Sequence, residues 1–99
     1  MTKPITLIQD ADRELATRIR AVQVIADTET ESWELELLAN SPDTVIAADS
    51  YSVMAPSKRD DILDLISYVL TSSGLKASPS ALVNSSEGPL DFTLYVSRL

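Results

Sequence analysis

Ala21-Val22-Gln23-Val24-Ile25-Ala26-Asp27-Thr28-Glu29-Thr30-Glu31-Ser32-Trp33-Glu34-Leu35-Glu36-Leu37 is the stretch that separates an α+β protein from an all-α one. Val22, Val24 and Ala26 alternate with more polar neighbours, as do Trp33, Leu35 and Leu37, with residues 28–31 between the two runs. Alternation with a period of two marks half-buried strands, so the stretch predicts a β-hairpin. Pairing Asp27 with Ser32 would set Ala26 opposite Trp33, Val24 opposite Leu35 and Val22 opposite Leu37, all apolar and all on one face. The other face would pair Ile25 with Glu34 and Gln23 with Glu36, and Asp27, Glu29 and Glu31 would carry it around the turn as a wet, negative surface. The rival reading begins with Ala11, Leu15, Ile19 and Val22, which fit a helical stripe, and continues that helix through Trp33 and Leu37. Enrichment in Val, Ile and Thr across 22–30 argues for strands instead.

Working outward, Ile62, Leu65, Ile66, Val69 and Leu70 recur at helical spacing and predict a helix over 57–73. Ser57 with Asp60 forms a variant capping box, Asp60 and Asp61 complement the positive end of the helix dipole, and Gly74 supplies a left-handed stop. A short helix is expected from an N-cap at Asp10 to near Arg18. The turn residues Asn40, Ser41, Pro42 and Asp43 precede a third strand at about 44–53. Leu90, Phe92, Leu94 and Val96 alternate with polar residues as a C-terminal strand over 90–96, and 76–89 reads as a loop with a single turn at 80–83. The fold expected is α+β in one domain, 1–99. It has an N-terminal helix and an antiparallel sheet, made of the hairpin, the third strand and the C-terminal strand, packed against one long helix.

Trp33-Glu34-Leu35-Glu36-Leu37, Asn40, Val45-Ile46-Ala47, Ser50, Tyr51 and the helix-opening Ser57-Lys58 together resemble the ββα unit of the small YegP-like family. The likeness covers about a third of the chain and implies topology alone, since the family brings no established activity. Where that family has Asn-Gly at the hairpin turn this chain has Asn40-Ser41-Pro42-Asp43, and its strand is acidic where the family's is basic.

The chain has 99 residues, 44% hydrophobic and 23% charged, enough for one small core. With no cysteine and no histidine, it cannot build a disulfide, a thiolate zinc site, a Ser-His-Asp triad or a His-ligated metal. The formal charge of -7 is unevenly placed: residues 21–57 hold seven acids and no base, and the rest of the chain balances eight of each. Such a segment repels phosphate backbones and anionic membranes and attracts basic protein surfaces. Neither direct nucleic-acid binding nor membrane binding is expected. No apolar run is long enough to span a bilayer and no signal segment is evident, so a cytoplasmic location is expected.

Motifs for chemistry are scarce. Asp10-Ala11-Asp12-Arg13-Glu14 alternates like the opening of a calcium loop but lacks the loop's glycine and its twelfth-position acid. Asp60, Asp61 and Asp64 could in principle hold magnesium, since Asp60 and Asp64 share a helix face, but capping and dipole complementation already account for the first two. Asn84-Ser85-Ser86 matches a glycosylation acceptor without a secretion signal. Two glycines in all leave little for a phosphate-cradling loop. No cofactor, metal or catalytic residue is therefore assigned. Trp33 reads as a core anchor, and Tyr95 as the outward residue of the last strand. The expected function is that of a non-enzymatic adaptor or inhibitor. Its partner-binding residues are Asp27, Glu29, Glu31, Glu34 and Glu36, docking on a basic protein surface, with imitation of nucleic-acid phosphates as one form. The alternative is a small-molecule or enzymatic pocket between sheet and helix. An open sheet also leaves edge backbone unpaired, which a homodimer would satisfy.

Overall fold

The computed structural model describes residues 3–39, 44–55, 59–83 and 91–99. A short 3-10 turn, Ile5–Leu7, leads into helix α1 (Asp10–Leu15) and strands β1 (Ala16–Ala26), β2 (Thr30–Ala39) and β3 (Val45–Met54). Helix α2 (Arg59–Ser72) then connects to β4 (Leu75–Val83), and β5 (Asp91–Arg98) follows. The five strands form one curled antiparallel sheet in the order β3-β2-β1-β5-β4. The class is α+β, and the all-α alternative is excluded.

Mostly this is a sheet protein, and no single long helix dominates it. The helix expected over 57–73 occupies Arg59–Ser72, 14 residues, and the proposed Ser57 cap lies outside the described residues. Ile62, Ile66, Val69 and Leu70 of its stripe are buried against Ile19, Leu35, Leu37 and Leu94 of the sheet in one core cluster. Fully burying a side chain of this size contributes about 1.5–3 kcal/mol. Ile5 and Ile8, at either end of the 3-10 turn, join the same cluster.

Gly74 ends α2 as expected, in the left-handed region at φ 81. The Arg13 Nε–H donates to Ser73 O at 2.7 Å, so a guanidinium from α1 satisfies a carbonyl at the negative end of the α2 dipole. α1 is shorter than expected. Asp10 is its first residue rather than its cap, and Ala16 to Arg20 belong to β1, where Ile19 is required in the sheet core.

Two expectations for the sheet are corrected. Residues 76–89 were expected as a loop with a turn at 80–83, but Leu75–Val83 is an edge strand whose pairing with β5 jumps between Ala77 and Leu82. Pro79 falls within that jump, on an edge strand, where a residue without an N–H is tolerated. The hairpin itself forms, but in another register: Ala26 pairs with Glu31, Gln23 with Trp33, Ala21 with Leu35 and Ile19 with Leu37. The turn is tighter than the Asp27/Ser32 pairing requires, because Asp27 N–H donates to Thr30 O at 2.8 Å and only Thr28 and Glu29 lie between. No described non-glycine residue has positive φ, so this is not one of the primed turns that match strand twist. Val24 is an extra, bulged residue between the Gln23 and Ile25 pairs, and a bulge adds the right-handed twist such a turn lacks. In β2 the inward residues remain Trp33, Leu35 and Leu37. In β1 they are Ile19 and Ala21 instead of Val22 and Val24.

Candidate interaction surface

The register decides where each acid goes. Glu34 pairs with Val22 and Ser50, and Glu36 with Arg20 and Ala48, on the face turned away from α2. Glu31 lies on the other face with Trp33: it is 8% exposed, and the Trp33 Nε1–H donates to its Oε1 at 3.0 Å. Glu31 is therefore a buried acceptor for the core tryptophan, which corrects its placement on the wet face. Asp27 and Glu29 are exposed at the turn. There the Asp27 Oδ1 accepts from Thr28 N–H at 2.7 Å, and Glu29 O accepts from Ala55 N–H at 2.9 Å.

The outer face is less uniformly negative than the sequence segment. Arg18 and Arg20, just outside the base-free segment, stand on the same face of β1, and Arg20 Nη1 lies 3.6 Å from Glu36 Oε1. The negative potential is thereby concentrated at Asp27 and Glu29 on the tip and at Glu34 beside β3. Glu34 lines an open cleft of about 300 Å³ with Ala48, Asp49 and Ser50.

Beside these acids stand apolar side chains, of which the sequence pattern sets only Ile25 on the wet face. Val24, Ile25 and Met54 leave 55%, 63% and 83% of their surface in water. Ile25 pairs with Ser32, which pairs with Ser52, and Met54 pairs with Thr30, so both project from the outer side of the hairpin near its tip. Among the described residues β5 pairs with β1 only from Arg18 to Val22, and beyond that the described hairpin extends without it. Alternation puts Val24 inward and Ile25 outward; with the bulge at Val24, both are exposed.

Asp49 is turned inward. Its Oδ2 accepts from Ile5 N–H at 2.9 Å and from the Tyr51 hydroxyl at 3.3 Å, tying the N-terminal turn to β3. Burial, followed by the charge of Asp49, pushes the Tyr51 phenol up to about 12. Asp12, in α1, accepts from Lys3 Nζ at 2.8 Å and from Gln9 N–H at 3.2 Å, and these two donors hold its carboxyl below its ordinary value. Asp10 pairs with Arg13. The acids of the calcium-like motif are thus engaged in capping and ion pairs. Among the described residues no three His, Cys, Asp or Glu side chains converge to hold a metal ion. The glycosylation-like Asn84 lies outside the described residues.

Between α2, β4 and β5 there is a second cleft, of about 210 Å³, lined by Leu63, Asp64, Ser67, Ala77 and Leu94. This is smaller than the roughly 300–1,000 Å³ of ordinary small-molecule sites. No helix among the described residues is long and apolar enough to cross a membrane. No family model matches the chain, and neither a curated protein nor a solved structure is significantly similar to it.

Proposed function

We propose that the protein is a non-catalytic interaction module, an adaptor or inhibitor, that docks the outer side of its β1–β2 hairpin on a basic protein surface. The observation that carries this reading is the pairing of exposed Val24, Ile25 and Met54 with exposed Asp27 and Glu29 and with Glu34. Protein interfaces combine an apolar centre with a polar rim, and charge around the rim steers the encounter. Asp27, Glu29, Glu34 and Glu36 are the partner-contacting acids in this proposal. Glu31 acts from beneath, by fixing Trp33. In a nucleic-acid-mimicking form of the inhibition, Asp27, Glu29 and Glu34 would stand in for phosphates.

The test is capture from native lysate at low and at high salt, with wild type, the Glu34→Lys/Glu36→Lys double variant and an Ile25→Ser/Met54→Ser double variant. A specific basic partner should be retained at low salt, released at high salt, and lost to both variants. A partner held equally well at high salt, or unaffected by the charge reversals, would refute the electrostatic reading.

A further inference from the structure

The outer edge of β3, which no other described strand pairs, points to how that partner is held. We propose that residues 50–54 accept an extended segment of the partner as an added strand, and that the segment carries Lys or Arg at alternate positions. The proposal deepens the function above and rests on its acidic-hairpin reading.

Backbone direction along β3 is fixed at both ends of the segment. Ala48 N–H points away from β2, donating to Lys3 O at 3.0 Å, and Ala55 N–H points back, donating to Glu29 O. Amides alternate sides along a strand, so the N–H and C=O of Ser50, Ser52 and Met54 face outward like those of Ala48. The N-terminal segment bridges β3 only at Ala47, then turns so that Ile5 N–H meets the Asp49 carboxylate. Past that point nothing among the described residues pairs with the edge. Backbone groups are obligatory hydrogen-bonding groups, and open edges are ordinarily guarded by charge, proline or a bulge. Ser50-Tyr51-Ser52-Val53-Met54 has no charge and no proline, and the one irregularity in β2–β3 pairing lies at the other end, between Leu37 and Leu38. Five residues expose about 17 Å of pairing edge.

Charge selects the occupant. Side chains of the added strand that fall opposite Ser50 and Ser52 share their face, beside the cleft lined by Glu34. The serines are short, and Glu34 stands two strand spacings, about 9.6 Å, from the added backbone; a Lys or Arg side chain and the glutamate close that gap between them. Asp27 and Glu29 flank the far end. A second copy of this chain fits worse. Antiparallel pairing about Ser52 would set the Asp27 and Glu29 tip of one copy beside the Glu34 cleft of the other, between molecules of formal charge -7, and like charges facing across strands are destabilising.

The probe is a short, fluorescently labelled peptide of alternating Lys and Val, titrated into the full chain at low salt and at about 0.5 M salt. We expect saturable, salt-sensitive binding, with slowed exchange of the Ser50, Ser52 and Met54 amides. Ser52→Pro removes an outward N–H that the β2 ladder does not use, and should weaken binding by roughly tenfold or more while the melt stays cooperative. The same peptide N-methylated at alternate amides should lose affinity for the unmodified protein, which keeps the test independent of how Ser52→Pro folds. Glu34→Gln should weaken binding and flatten its salt dependence. Undiminished binding by Ser52→Pro and by the N-methylated peptide would overturn strand addition while leaving the acidic docking surface standing. No binding of either peptide by the folded protein would overturn the proposal, as would a doubling of mass in sedimentation, without peptide, that Ser52→Pro abolishes.

Discussion

Replacing Glu31 with alanine separates the register found here from the one the sequence pattern suggests. In the hairpin as folded, the substitution leaves the Trp33 indole N–H, buried in the core, without its 3.0 Å carboxylate acceptor. An unsatisfied buried donor costs about 1–3 kcal/mol, with bonds to charged groups toward the upper end. Taking about 2 kcal/mol, and about 4–8 °C per kcal/mol for a domain of this size, the melting temperature should fall by roughly 8–16 °C. Trp33 is the only tryptophan, so its emission during urea unfolding reports on this one site, with circular dichroism as a check on the whole chain. Glu34→Ala is the control, because surface substitutions usually stay within about 0.5 kcal/mol. If Glu31→Ala and Glu34→Ala were equally mild, Glu31 would be a surface acid and the burial assigned to it would be wrong.

Glu34→Lys with Glu36→Lys should keep a cooperative melt, losing at most about 1 kcal/mol through the broken Arg20 pair, as thermal unfolding would register. Gly74→Ala should destabilise by about 1–3 kcal/mol, since its φ of 81 is strained for alanine and the new Cβ would lie 2.8 Å from Arg13 Nε; the loss should shrink in an Arg13→Ala background, measured by denaturant titration. Ultraviolet titration should find Tyr51 ionising near 12, and Asp49→Asn should bring it down. Because the phenol is raised in the folded state, its contribution to stability is whole below about pH 10 and is lost as pH climbs from there through 12.

Much of the fold is legible in residue spacing: the stripe of α2, the Gly74 stop, the alternation of β2 and β5, and the third strand all follow from local periodicity. Register is another matter. Val22, Val24 and Ala26 make as good an apolar row as Ile19 and Ala21, and a two-residue turn plus one bulged residue decides between them. Neither has a local signature when the turn lacks glycine. The N-terminal residues fit both a helix and a strand, and tertiary demand for Ile19 in the sheet resolved that ambiguity. β4 was hidden by Pro79 and its serines, because an edge strand can tolerate residues that a central one cannot.

The candidate site was half legible. Asp27, Glu29, Glu34 and Glu36 stand out as acids, but charge segregated along the chain is not segregated in space: Arg18 and Arg20 fold back beside Glu34 and Glu36. Glu31 carries no mark that separates a buried acceptor from its solvated neighbours. Of the exposed apolar residues, spacing assigns Val24 inward and Ile25 to the wet face, and Met54 lies beyond the expected third strand.

Because β1 sits between β2 and β5, it must wait. Its hairpin with β2, and β2 with β3, need only short loops, whereas Val22 finds Asp91 and Arg18 finds Tyr95 across some seventy residues of chain. Local pairings form first and distant ones govern the rate, so a three-stranded sheet with one side of β1 bare should precede the finished one, during refolding and on the ribosome alike. Arg18 and Arg20 lie in the stretch of β1 that β5 later covers, and charge on a temporarily open strand discourages pairing with another chain. The two arginines that blunt the acidic face of the native protein are thereby placed where charge would protect a seam that stays open until β5 arrives.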